Sequence, residues 1–226
     1  MTKTNQQKVK DFLINNGVII VMFILVIYTG FTSDNFFTRN NFMNILMNMS
    51  SRLVIALGIA GCVITAGCDL SAGRMIGFGA CISGMLLQRM DYSGKFFPDM
   101  QPLNVFVVAL IAMLVCAAFG TVTGFFIAYL NVPPFIATLA MMEIVYGIGL
   151  IVTNATPLGG YVEQYTNVSN GKFLGINYLI WIAIIVAAIT WFIFNMTRHG
   201  KYMYAIGGNP QAAEVAGVPV KATLIL

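Results

Sequence analysis

The chain has 226 residues, 58% hydrophobic and only 9% charged, with twelve Lys and Arg against eight Asp and Glu for a net charge of +4. A soluble domain carries about 25% charged residues, so this composition excludes a water-soluble globular protein and calls for a bilayer around most of the surface. The basic residues stand at the ends of apolar runs rather than in a patch, which excludes nucleic acid as a partner and makes them topology signals.

Taken in chain order, Lys3, Lys8 and Lys10 precede an apolar run from Phe12 to Phe31. No small-x-small cleavage site follows it, so it is a retained span with its basic end in the cytoplasm. A spanning helix needs about 20 apolar residues, and five further runs qualify: Phe42–Ala66, Arg74–Met90, Leu103–Leu130, Pro134–Val152 and Leu174–Met196. Val220–Leu226 is too short to span and is expected to begin a seventh helix that the chain end truncates. The expected fold is all-α, one polytopic transmembrane domain over residues 1–226. With the N-terminus inside, Arg198, His199 and Lys201 fall inside, and the loops Thr32–Asn41, Asp91–Pro102 and Ala155–Phe173 fall outside. Parity and positive charge thus agree.

Few residues inside these runs carry chemistry. Asp69 and Ser71 lie in a glycine-flanked break between the second and third runs. An ionised carboxylate in hydrocarbon must be paired, interfacial or beside water, and broken helices at membrane depth line cavities or are buried in protein. Asp69 is therefore either a pathway or gate element, or a cap on the next helix that pairs with Arg74 near the cytoplasmic surface. Glu143 lies well inside the fifth run; it is either a proton relay with Arg52 or Tyr146, or a carboxylate hydrogen-bonded in the bundle or facing a wet cavity. Asn131, Pro133 and Pro134 form a hinge or a plain turn. Gly73/Gly77 and Gly120/Gly124 are small-xxx-small pairs that suit close helix packing. The cysteines Cys62, Cys68, Cys81 and Cys116 make no CxxC pair and His199 is the only histidine, so no metal site is expected. No G-x-x-x-x-G-K-[ST] loop is present, so no ATP site of that kind is expected in this chain.

Arg198–Pro219 has the grammar of a short, well-capped helix. Asn209 is an N-cap residue, Pro210 suits the first helical position, Gly217 suits a left-handed C-terminal cap and Pro219 ends the segment. A helix of less than two turns needs a surface to dock on, and Ala212, Val215 and Ala216 share a small apolar face for it.

The stretch Gly200–Pro219 closely resembles the cytoplasmic loop of permease subunits in the ribose/galactose branch of the ATP-binding-cassette importers. Ala56-Leu57-Gly58 through Gly67-Cys68-Asp69-Leu70-Ser71-Ala72-Gly73-Arg74 resembles that family's glycine–Asp-Leu-Ser–glycine signature, and Ala128–Leu139 resembles the segment between its fourth and fifth spans. The wording around Asp69 and Leu87–Asp91 is most similar to the galactose/methyl-galactoside members. The resemblance implies that residues 200–219 are a coupling helix, with Gly207, Gly208, Asn209, Pro210, Ala213, Glu214 and Gly217 carrying the contact to a separate ATPase, which binds the ATP; the chain itself takes no cofactor. It implies a second permease chain in a homodimer, a periplasmic sugar-binding protein, and a place in the bacterial inner membrane. Asp69, Ser71, Gly73, Asn131, Pro133, Thr138 and Glu143 are the candidate pathway and gate residues. The alternative is a secondary transporter driven by an ion gradient through Asp69 and Glu143; an intramembrane enzyme is disfavoured by the lack of a nucleophile–base constellation.

Overall fold

The computed structural model describes residues 13–225, which form two compact units meeting at Asn48–Met49. The first unit holds α1 (Gly17–Thr32) and the opening turns of α2 (Arg39–Ile64). The second holds the rest of α2 and then α3 (Ala72–Leu86), α4 (Val105–Leu130), α5 (Pro134–Thr153), α6 (Glu163–Asn170), β1 (Lys172–Phe173), β2 (Ile176–Asn177), α7 (Tyr178–Met196), α8 (Arg198–Gly208), α9 (Pro210–Val215) and α10 (Val220–Ile225). The fold is the expected all-α membrane type. Among the described residues, α2, α4, α5 and α7 are long and apolar enough to cross a bilayer, whereas α1 and α3 are apolar but shorter.

The predicted spans shift at their ends for identifiable reasons. The first begins at Phe12 in prediction, a residue outside those described, and its main helix starts at Gly17 after a turn at Asn16. The second starts a turn earlier than predicted, where Thr38 Oγ1 accepts from Asn41 N–H at 3.3 Å, and stops at Ile64 rather than Ala66, because Ala66 adopts φ +59°. The fourth begins at Val105, fixed by the Asn104 side chain accepting from Phe106 N–H at 2.9 Å. The sixth loses Leu174: Leu174 (φ +52°) and Gly175 (φ +78°) form the tight turn of a hairpin that pairs Phe173 with Ile176. Asn177 then caps α7 through Leu179 N–H at 2.8 Å. Helix α6 lies inside a stretch predicted to be loop.

The largest departure is the third span. It ends at Leu86, four residues before the predicted Met90, because Leu87 bends the chain out of the helix and Gln88 joins a β-bridge, both fully buried at 0% and 1% exposed. Gln88 pairs with Tyr161. Its side chain donates to Gly159 O at 3.0 Å and accepts from Phe96 N–H at 2.7 Å. Val162 N–H to Leu87 O (2.8 Å) and Arg89 N–H to Gly160 O (2.7 Å) complete the clasp.

Helices α3, α4 and α5 form the packed heart of the second unit around Phe78, Ile82, Met141 and Val145. Phe78 meets Phe119 edge to face, with ring centroids 5.6 Å apart. Since lipid tails are as apolar as these side chains, association rests on such packing rather than on escape from water. Of the small-residue pairs, Gly124 is used: a Cβ there would touch the Ile225 backbone of α10 at 2.9 Å. Gly73, Gly77 and Gly120 face open space.

Candidate functional site

Two ends of the second unit follow from these contacts. Leu103 N–H donates to Leu86 O at 3.3 Å, so α3 and α4 share the end that Gln88 clasps. At the opposite end lies the Asn131–Pro133 turn. Asn131 is the left-handed cap of α4 at φ +52°, and Pro133 and Pro134 occupy the N-cap and first positions of α5. Lys221 Nζ stands 5.3 Å from the Tyr129 ring centre, which puts the start of α10, and hence the α8–α9 pair before it, at this same end.

The break between α2 and α3 lies deep. Helix α3 has 15 residues and α4 has 26, about 22 and 39 Å at 1.5 Å per residue. Starting from a shared end, α3 therefore stops about 16 Å short of the Asn131 end. Cys116, near the middle of α4, donates its thiol to Met75 O at 3.5 Å, in keeping with that depth. The turn that opens α3 thus sits within the length of its neighbours.

Within that turn, Asp69 Oδ1 accepts from Ser71 N–H at 2.8 Å and from Ser71 Oγ at 2.6 Å. Ser71 is buried and is the residue preceding α3, but the turn itself, not a side-chain cap, begins the helix. The expected Asp69–Arg74 ion pair is not formed; among the described residues the ion pair present is Arg89–Asp91, at 3.5 Å. Arg74 instead lays its guanidinium 3.9 Å from the centre of the Tyr146 ring on α5. Glu143 is exposed one turn before Tyr146 and pairs with neither Arg52 nor Tyr146. Thr138 is buried, its hydroxyl held by Pro134 O at 2.8 Å, and Gly73 is exposed. The candidate pathway residues therefore divide. Asp69, Ser71 and Gly73 share the break; Glu143 lies on α5 beside the Arg74–Tyr146 pair; Asn131, Pro133 and Thr138 serve the α4–α5 turn.

The α9 knob is built as its sequence foretold. Asn209 Oδ1 accepts from Ala212 N–H at 3.0 Å, Pro210 is the first helical residue, and Gly217 takes φ +84°. Val218 N–H to Ala213 O and Gly217 N–H to Glu214 O, both 3.0 Å, close a Schellman cap. The docking face is a correction. Ala213 is the buried residue, at 4% exposure, while Ala212, Val215 and Ala216 are exposed, Val215 at 91%. A single alanine suffices to seat so short a helix, because α8, an 11-residue helix predicted only as loop, carries it. Thr197 caps α8 through Gly200 N–H at 3.2 Å, and Met203 and Ile206 bury its inner face. A Cβ at Gly207 would overlap the Ile64 carbonyl oxygen, and one at Gly61 would touch Met203 Cε at 3.0 Å. The last turn of α8 is thus seated on the last turn of α2, five residues before Asp69.

Sequence reading missed the Arg74–Tyr146 pair, since it joins separate helices, and the buried Gln88 clasp, since Gln88 drew notice only within a stretch of family resemblance. Burial also pushes the Tyr161 phenol beside that clasp above its ordinary value, with Tyr165 adding to the shift.

A bundle of apolar helices, one of them starting partway along its neighbours, with a capped knob at one end, is that of a polytopic membrane protein. The chain belongs to the family described as the permease component of the branched-chain amino acid transport system, whose model matches residues 41–226. Among its curated relatives, the galactose/methyl galactoside import permease of Escherichia coli K12 is 39% identical over 233 residues, covering 100% of this chain and 69% of that protein. The same-named protein of Haemophilus influenzae is 40% identical, with 100% and 69% covered. The ribose import permease of Escherichia coli K12 is 31% identical, with 96% and 65% covered. No solved structure matches.

Proposed function

We propose that this chain is the permease subunit of an ATP-driven importer of galactose, methyl galactoside or a related monosaccharide. The observation that carries the reading is the α9 knob: a doubly capped helix whose outer residues Gln211, Ala212, Glu214, Val215 and Ala216 are exposed. Its supporting helix bears on Ile64, the last residue of α2, five positions before Asp69. An exposed valine on so short and rigid an element suits a protein partner, here a separate ATPase that binds and hydrolyses the ATP. Of the seven residues expected to carry that contact, Gly208, Pro210 and Glu214 are outward-facing. Asn209, Ala213 and Gly217 instead hold the knob together, and Gly207 seats it.

In this reading closure of the ATPase pushes α9, α8 passes the displacement to the end of α2, and the Asp69–Ser71 turn changes the access of a pathway lined by two copies of the chain. A periplasmic binding protein delivers the sugar at the Gln88 end, and the chain sits in the bacterial inner membrane with its N-terminus in the cytoplasm. The sugar assignment is supported by the 39–40% identity to the galactose permeases against 31% for the ribose permease. These relatives are all import permeases, and no observation favours the ion-driven alternative.

The test is co-purification of the ATPase with permease carrying Val215→Asp or Ala212→Glu. Both changes lie on exposed residues, so the melting temperature stays within about 2 °C, corresponding to effects inside about ±0.5 kcal/mol. ATPase capture and galactose uptake are expected to fall together. Undiminished capture by both variants would refute the coupling role.

A further inference from the structure

We propose that Arg74, Tyr146 and Glu143 form a transient binding subsite for a neutral monosaccharide, placed at mid-depth where α3 meets α5. The inference rests on the transport reading above and adds to it the residues that touch the cargo.

Three observations carry it. The first is depth: α3 begins about 16 Å short of the Asn131 end, and Arg74 is in its first turn. The second is exposure. Arg74 and Glu143 are exposed on the described chain, and Tyr146 as a whole residue is 41% exposed although the guanidinium lies over its ring. An arginine at this depth is costly against lipid, so such residues face a watery cavity or protein. The third is chemistry. Glu143 and Tyr146 are three residues apart on one helix and so share a face. A guanidinium offers a fork of donors, a carboxylate offers acceptors, and the free ring area offers an apolar platform. Vicinal hydroxyls satisfy the first two, and the C–H face of a sugar ring rests on the third. The core beside these three residues is apolar: Phe78, Ile82, Met141 and Val145. The guanidinium lies over the ring at 3.9 Å from its centre, so a sugar seated on the remaining ring area meets its donors directly.

The permease, reconstituted with its ATPase and binding protein in proteoliposomes, is treated with phenylglyoxal, and modification of Arg74 is read by mass spectrometry. Modification, reduced at least threefold by millimolar galactose but not by mannitol, is expected. In parallel, Arg74→Gln and Tyr146→Leu are expected to lower galactose uptake at least tenfold while ATP hydrolysis stimulated by the binding protein stays within twofold. Tyr146→Phe, which keeps the ring, retains uptake. An Arg74 that never reacts, or reacts equally with and without galactose, overturns the subsite even if the variants misfold. So does equal loss of uptake and ATP hydrolysis in folded variants, which marks a structural joint. Wild-type assembly that hydrolyses ATP but imports no monosaccharide overturns the functional reading itself; normal wild-type uptake with unaffected variants overturns the subsite alone.

Discussion

At the Leu86 end of the bundle, Gln88 is 1% exposed and joins two loops that are far apart in sequence, through Gly159 O and Phe96 N–H. At the Asn131 end, the α9 knob satisfies its own backbone through Asn209 and Gly217 and leaves Val215 91% exposed. One end is closed by hydrogen bonds between segments; the other is closed within each segment and touches its support at a few points. An element meant to move as a unit is best finished internally, since moving it then breaks few bonds. An element meant to stay is best tied across the fold. The contrast assigns rigidity to the Gln88 clasp and mobility to the α8–α9 pair.

The strongest way to break the contrast is at the tightest contact of the α8–α9 pair with α2. Gly207→Val places branched atoms against the Ile64 carbonyl, a backbone group that cannot swing aside, so it is expected to cost about 3 kcal/mol or to unseat α8. Gly208→Ala meets nothing within 4 Å and is expected to be neutral or to stabilise slightly through helix propensity. Loss of ATP-driven uptake in the first variant but not the second, with melting temperatures measured in detergent, checks the pair. Equal behaviour of both would mean that the seat transmits nothing.

Next in size is the clasp. Gln88→Leu keeps the bulk but leaves Gly159 O and Phe96 N–H without their partner, which is expected to cost about 2 kcal/mol or more. Hydrogen exchange should quicken at Phe96 and Val162 and stay unchanged in α9. Exchange that quickens at both ends together would erase the proposed division between a fixed and a moving end.

The sequence made one end far more legible than the other. The knob was readable because its signals are local: Asn-Pro at the start and Gly-x-Pro at the end each act within a few residues. The clasp was not readable, since Gln88 lies in an apolar run that continues the hydrophobicity of α3, and nothing nearby in the chain marks Gly159 or Phe96 as its partners. The same reason kept the place of Asp69 along its neighbouring helices out of sight. Counting spans assumes that each crosses the whole bilayer, whereas α3 is a 15-residue helix whose start is fixed by its neighbours. Arg74 and Tyr146 are 72 positions apart in chain numbering, and only the α3–α5 packing unites them.

A smaller effect is expected from the caps of the knob itself. Asn209→Ala removes the acceptor for Ala212 N–H and should cost about 1 kcal/mol of local stability. Gly217→Ala forces a side chain into φ +84° at about 1–2 kcal/mol. Because the knob is finished internally, both losses should appear as faster exchange at Ala213 and Val218 and leave the melting of the rest of the bundle unmoved. A shift of the whole transition would show that the knob is tied to the fold as tightly as the clasp.

The smallest effect, with the opposite sign, lies where the mobile pair meets the broken helix. Ala66 ends α2 in the left-handed region at φ +59°, with Gly67 N–H bonded to Cys62 O at 2.8 Å and Ala66 N–H to Val63 O at 3.1 Å. This is the Schellman geometry that usually employs glycine, and glycine stands one position too late to supply it. An alanine in that conformation carries about 1–2 kcal/mol of strain. Ala66→Gly relieves it but gives the unfolded chain more freedom, worth about 0.4–1 kcal/mol. The net gain should therefore be only a few tenths to about 1 kcal/mol, a rise of a few degrees at most in melting temperature. The informative readout is transport. If the α2 end moves as the knob is pushed, a hinge held under strain returns more readily than a relaxed one, and Ala66→Gly should be slightly more stable yet slower in uptake per ATP hydrolysed. A variant that is both more stable and equally fast would show that the strain at Ala66 is spent on the turn alone, and that displacement at Gly207 ends at Ile64 without reaching Asp69.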